Sequence, residues 1–250
     1  MDTSEKFNIS VELKSEMLLN APTDDSERLP TMLKRYIKKY QAVWAWWETK
    51  RNAATFDRAG QPRAKFQNYF DRLQVVDALL PENERSGQRG EDNLLSPAHV
   101  FVGAVALDLL DAGINIGAVG FFVTHARDML MKTYEQIMQN PPVRVGKGGW
   151  KYDENGKDAR VYLTLRYSDI HELWPHPPKS GPCKGWKGAG PHPLIVNSKI
   201  IRGMTALTEE LDELGVDGNH TQKMVFELAN VARIVTEKLK EAPIRKRGRQ

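Results

Sequence analysis

The run from Val100 to Val123 constrains this chain more than any other stretch, because it is almost wholly apolar and yet interrupted. Asp108, Asp111 and Asn115 sit in its middle, and each would be costly in hydrocarbon. Gly113 divides the run, since a left-handed residue there ends one helix within a few residues of the next. The stretch is therefore expected to be the packed core of a folded domain and not a membrane span. Ser96 supplies an N-cap, with Pro97 at the first helical position, where its missing N–H is not needed. Val100, Val105, Leu107, Leu109 and Leu110 then pack one helix. Val119, Phe122, Val123, Leu130 and Tyr134 pack a second, which Pro141-Pro142 stops.

The charge upstream is unevenly spread. The whole chain of 250 residues carries a formal net charge of only +4. Between Arg28 and Arg72, however, eleven Lys or Arg stand against three acids, Glu48, Asp57 and Asp71, which leaves +8. A polyanion-binding surface requires such concentration, because each phosphate neutralised releases counterions; a solvated helix face accounts for it equally. From Leu29 to about Phe56 the apolar spacing is helical, with Leu33, Ile37, Tyr40, Val43, Trp44 and Trp47 at steps of three and four. Trp44, Trp46 and Trp47 read as core aromatics.

After a turn at 57–62, Pro62 opens a further helix over 63–73. It buries Phe66, Tyr69 or Phe70, and Leu73. Arg63, Lys65, Gln67, Asn68 and Arg72 face mostly away, and these are the side-chain types that read bases or grip phosphates. Leu79-Leu80-Pro81 ends the unit. Residues 82–94 are too polar and glycine-rich for a helix, and are read as a two-stranded wing with its tip near Gly87 to Gly90.

This order of parts resembles the MerR-type winged helix-turn-helix transcription regulators over about residues 60–125. The residues that carry the resemblance are Asn68-Tyr69-Phe70-Asp71-Arg72-Leu73, Leu79-Leu80-Pro81, Arg85, Ser96-Pro97, Val100 and Leu110-Asp111-Ala112-Gly113-Ile114. The resemblance implies that Arg63, Lys65, Asn68, Tyr69 and Arg72 lie on a major-groove helix. It also implies that Arg85 and Arg89 are wing contacts to the DNA backbone or minor groove. The long dimerising coiled coil of that family is not written here, because Pro141-Pro142 cuts the helix short.

Beyond Val143 the pattern changes. Val143–Tyr152 and Arg160–Tyr167 flank Asn155-Gly156, a strong hairpin signal. Trp150, Tyr152, Tyr162 and Tyr167 give that hairpin an aromatic face, read as a packing layer. The Pro/Gly/Lys-rich connection over 174–193 bears His176, Cys183 and His192, with His171 just before it. These do not cluster in pairs as zinc ligands do, so no metal is expected. Ile200, Met204, Leu207 and Leu211, then Met224, Leu228, Val231 and Val235, step by threes and fours and predict two closing helices. Paired, they form a helical hairpin whose apolar stripe serves a dimer or covers the sheet of its own subunit.

The expected fold class is mainly α with a smaller β part (α+β): a winged helix-turn-helix domain followed by a β-hairpin plus helical-hairpin domain. The divisions are a flexible arm at 1–28, a DNA-binding part at 29–140, a dimerising or sensing part at 143–241 and a basic tail at 242–250. No signal peptide is read at the start, and Cys183, the lone cysteine, fits a reducing cytoplasm. No carboxylate pair, nucleophile-base set or phosphate loop emerges, so neither an enzyme nor a cofactor is expected. The reading is a cytoplasmic, homodimeric regulator of double-stranded DNA, with an unidentified small-molecule effector as a further partner. The alternative is a phage or plasmid accessory or assembly protein whose basic segment meets protein or RNA. An enzyme using the histidine-bearing loop is the third reading.

Overall fold

In the computed structural model the described residues are 36–54, 62, 64–86, 93–146, 149–167, 195–214, 216 and 222–244. They form helices α1 (Lys39–Ala54), α2 (Ala64–Val75), α3 (Pro97–Asp111), α4 (Ile116–Gln139), α5 (Met204–Asp212) and α6 (Ala229–Glu241). The strands are β1 (Val143–Arg144), β2 (Trp150–Tyr152), β3 (Val161–Arg166), β4 (Val196–Arg202) and β5 (Met224–Glu227). The fold is mixed, α with a small β part. No helix among the described residues is long and apolar enough to cross a membrane.

α3 is the centre. Every residue from Pro97 to Leu107 is buried, and α1, α4 and α6 pack around it. Its start forms as the sequence predicts. The Ser96 hydroxyl accepts from the His99 amide at 3.3 Å while the Ser96 amide donates to His99 Nδ1 at 3.2 Å, so two otherwise orphaned N–H groups are satisfied. Its end is a Schellman turn: Ile114 N–H donates to Leu109 at 3.1 Å and Gly113 N–H to Leu110 at 3.1 Å. Gly113 has φ +89°, the left-handed value that the turn requires.

α1 meets α3 through Trp46, which is 1% exposed and whose indole N–H donates to the Val100 carbonyl at 2.7 Å. That approach needs Gly103: a Cβ there would lie 2.1 Å from the Trp46 ring. Trp44 and Trp47 are half-buried, and Trp47 meets Phe66 edge-on at 5.2 Å. The aromatics expected to be core are therefore core or its margin.

α2 buries Phe70 and Leu73. It also ends in a Schellman turn, with Ala78 N–H donating to Leu73 at 2.9 Å and Asp77 N–H to Gln74 at 3.1 Å. The left-handed position here is Asp77, φ +58°. Arg127 of α4 donates to the Asp77 carbonyl and Arg85 to the Asp77 carboxylate, so the corner is clamped from two sides. Residues 82–84 form a single 3-10 turn where the sequence reading placed a wing strand; Pro81 enters it and Arg85 leaves it extended. Ser86 N–H reaches Asn93 Oδ1 at 2.9 Å, closing the base of the segment. The expected tip at 87–90 lies outside the described residues. Leu95 instead pairs with Ile37, at 2.7 and 2.9 Å, tying the approach to α1 to the start of α3.

The three-stranded sheet runs β4-β3-β5, antiparallel throughout. β3 is buried along Val161–Leu165, with Leu163 and Leu165 in the main core. Tyr162 packs instead with Ile201 and Leu207, under α5. The predicted turn at Asn155-Gly156 forms, with Gly156 N–H donating to Asp153 at 3.0 Å. The strand after it does not pair with β2 as a simple hairpin. Pairing passes one step, Tyr152 to Asp158, and β2's ladder is with β1.

The predicted closing helical hairpin is corrected. Ile200 lies in β4 and Met224 in β5, so only α5 and α6 are helical, and β5 intervenes. Six-residue apolar runs with both faces buried mimic helical steps of three and four. The stripe proposed for a dimer is covered within the chain: Leu207 sits under α5, while Leu228 and Val235 are in the main core. The 143–241 segment does not enclose a core of its own either. α6 packs on α1, α3 and α4, and Tyr134 Oη meets Thr236 Oγ1 at 2.8 Å. The arm at 1–28, the connection at 174–193 and the tail from 245 lie outside the described residues.

Candidate nucleic-acid interface

α2 presents two different faces because its apolar residues keep helical spacing while its charged residues fill the gaps. Phe70 and Leu73 face inward, with Trp46 and Phe70 rings 5.7 Å apart. On the outer side Lys65, Asn68 and Arg72 succeed one another at steps of three and four, so they form a single row. All three are exposed, and none makes a hydrogen bond or ion pair among the described residues. The row thus holds two cations and one amide that the fold itself does not use.

The acid beside this row is neutralised. Asp71 pairs with Lys39 of α1 at 2.5 Å, and Lys39 also lies over the Phe70 ring at 5.4 Å. Both partners are well exposed, so the pair adds little stability; its consequence is to blunt the one carboxylate that would repel a polyanion. Gln67 is exposed, but its amide donates to the Pro62 carbonyl at 3.1 Å and so supports the start of the helix. Tyr69 is half-buried, with its ring edge-on to Phe66 at 5.9 Å.

Arg85 is occupied by its own chain. Its guanidinium donates to the Leu80 carbonyl at 3.2 Å, to the Gln74 carbonyl and to the Asp77 carboxylate. It holds the corner after α2 in shape, which sets the angle at which the helix leaves the core. Arg63 and Arg89 lie outside the described residues.

One feature was missed by sequence reasoning. Behind α2 lies a cleft of about 540 Å³, between α1, α2 and the last turn of α3. Phe66 and Tyr69 supply aromatic walls, Leu110 an apolar one, and Lys50, Asp108 and Asp111 the charges. Lys50 is paired with Asp108. Burial lowers the Lys50 ammonium to about 8, with the Asp111 carboxylate opposing the shift. Asp111 itself is exposed and has no partner among the described residues. The available signal was the pair Asp108 and Asp111, three apart in an otherwise apolar helix. Lys50 is 58 residues from Asp108 in sequence, and nothing local announces their contact.

Among the described residues no group of three or more His, Cys, Asp or Glu could hold a metal ion. No protein-family model, curated protein or solved structure matches this chain.

Proposed function

We propose that this chain is a duplex-DNA-binding transcription regulator whose α2 is the reading helix. The observation that carries the proposal is the exposed row Lys65, Asn68 and Arg72, unspent by the fold and mounted on a helix anchored by Phe70 and Leu73. Lys and Arg grip phosphate or guanine, and Asn pairs with adenine. Tyr69 stands at the edge of the row, and Arg63 precedes it in sequence. The clamped Asp77 corner supports the reading, because a reading helix must leave the core at a fixed angle. In winged-helix terms, Arg89 and the segment closed by Ser86 and Asn93 would meet the backbone, with Arg85 bracing it. Two copies of such a head would suit a two-fold operator, and the single cysteine suits a cytoplasmic setting.

The Lys65→Glu/Arg72→Glu variant tests this. The parent should retard a random duplex at about 50 mM salt, and the variant should not. Its melting temperature should stay close to that of the parent, since exposed substitutions away from partners change stability by no more than about 0.5 kcal/mol. Undiminished retardation by the variant would remove α2 as the reader.

A second reading has one observation in its favour. Val75, one turn beyond Asp71 on α2, is 68% exposed, and an apolar side chain beside a basic row suits a protein partner of the accessory or assembly kind. Pull-down that survives nuclease treatment and is lost in Val75→Glu would favour it.

A further inference from the structure

We infer that the cleft behind α2 binds an organic cation: an ammonium-bearing molecule with an apolar, ring-sized body. This goes beyond the DNA-binding reading and does not depend on it.

Four features of the cleft favour positive charge. Asp111 lies at its rim with an unspent carboxylate. Asp108 supplies a second, which Lys50 neutralises. Both stand in the last turn of α3, where the helix ends at Asp111 and its terminal carbonyls place the negative end of the helix dipole. Phe66 and Tyr69, their rings 72° apart, offer π faces that attract a cation and repel an anion. An anion would meet two carboxylates, a helix C-terminus and one lysine already paired. A bare metal ion would find a single unspent carboxylate, too few oxygens for a hard cation. The volume and the mixture of apolar walls with few polar groups suit a small molecule and not a peptide.

Lys50 gives the site a pH signature. The titratable or charged groups sharing the cleft with it are Asp108 and Asp111 on α3 and Tyr69 on α2. As pH rises through about 8, Lys50 loses its proton and Asp108 loses its internal counter-ion. The cleft then carries two unopposed carboxylates, so cation affinity should rise with pH.

The experiment is calorimetric titration of the full chain, without DNA, with benzyltrimethylammonium. Benzenesulfonate serves as the anion of similar body, and benzyl alcohol as the neutral one. The expected result is saturable heat for the cation alone. Asp111→Asn should weaken binding about tenfold, equivalent to about 1.4 kcal/mol. Phe66→Leu should weaken it too, and the parent's affinity should rise between about pH 7 and about pH 9. Absence of saturable heat, equal binding of benzenesulfonate, or undiminished binding by a folded Asp111→Asn would each overturn the inference. Because no nucleic acid is present, failure here leaves the DNA reading standing, and failure to bind DNA leaves this one standing.

Discussion

α2 and α3 make an instructive pair. Both begin at a proline-marked position, both end in a Schellman turn, and they differ in how much surface they give to the core. α3 is apolar on nearly all sides and buried on nearly all sides, so its neighbours α1, α4 and α6 determine every position along it. α2 buries only Phe70 and Leu73 fully and keeps Lys65, Asn68 and Arg72 in solvent. A helix fixed all round has no side chains left for a partner; a helix held by one stripe has a whole face left over. The same contrast should appear in mutation: substitutions in α3 should act on stability, and substitutions on the outer face of α2 on binding.

The largest effect should come from Gly103→Leu. The new side chain must displace Trp46, which has nowhere to go because its ring is buried and its N–H is bound to Val100. Overpacking of this kind should cost about 3 kcal/mol, read as a shift in the denaturant midpoint. A variant as stable as the parent would mean that α1 and α3 do not meet as described.

Next is Gly113→Val. A Cβ there meets nothing within 4 Å, so the only penalty is the left-handed backbone at φ +89°. That strain should cost about 1–2 kcal/mol, again by denaturant midpoint, with the slope unchanged. The comparison with Asp77, which holds the equivalent place after α2 with a side chain, sharpens the point. Asp tolerates the left-handed region better than a β-branched residue, and its carboxylate is paired with Arg85.

A smaller, pH-dependent effect should come from His99 at the start of α3. Burial lowers its pKa below 6.5, with Glu84 opposing and Arg127 reinforcing the shift. Its Nδ1 accepts the Ser96 amide hydrogen, so protonation there breaks the cap. The folded protein therefore takes up this proton less readily than the unfolded chain does. Stability from this group is complete above about pH 6.5 and is lost as pH falls below that value. His99→Gln should flatten that part of the stability profile, measured by thermal melts across the same range.

Local signals made much of the helical core legible before any coordinates. Ser96-Pro97 and Gly113 mark where α3 starts and stops, because caps and left-handed glycines are decided by two or three residues. The buried side of α2 followed from periodicity for the same reason. What was illegible depends on distant residues. β3 takes β4 and β5 as partners from 30 to 60 positions away in sequence, and no turn signal encodes that choice. Met224 to Val235 read as one helix because β5 runs into α6 with only Leu228 between them. The Asp77 corner was missed because aspartate marks a left-handed turn far less clearly than glycine does. At the candidate interface, the exposed row of α2 was readable, but the engagement of Arg85 with Asp77 and the Lys50–Asp108 pair were not.

The central claim is that the outer face of α2 grips DNA phosphates and bases, and the salt dependence of duplex binding tests it most directly. Affinity should be measured by fluorescence anisotropy against salt from about 50 to about 200 mM for the parent, Lys65→Gln and Arg72→Gln, each checked for an unchanged melting temperature. The account predicts a steep fall of the parent's affinity with salt, and a log–log slope smaller by about 1 for each substitution that removes a phosphate contact. A parent slope near zero, or slopes identical in all three proteins, would contradict it.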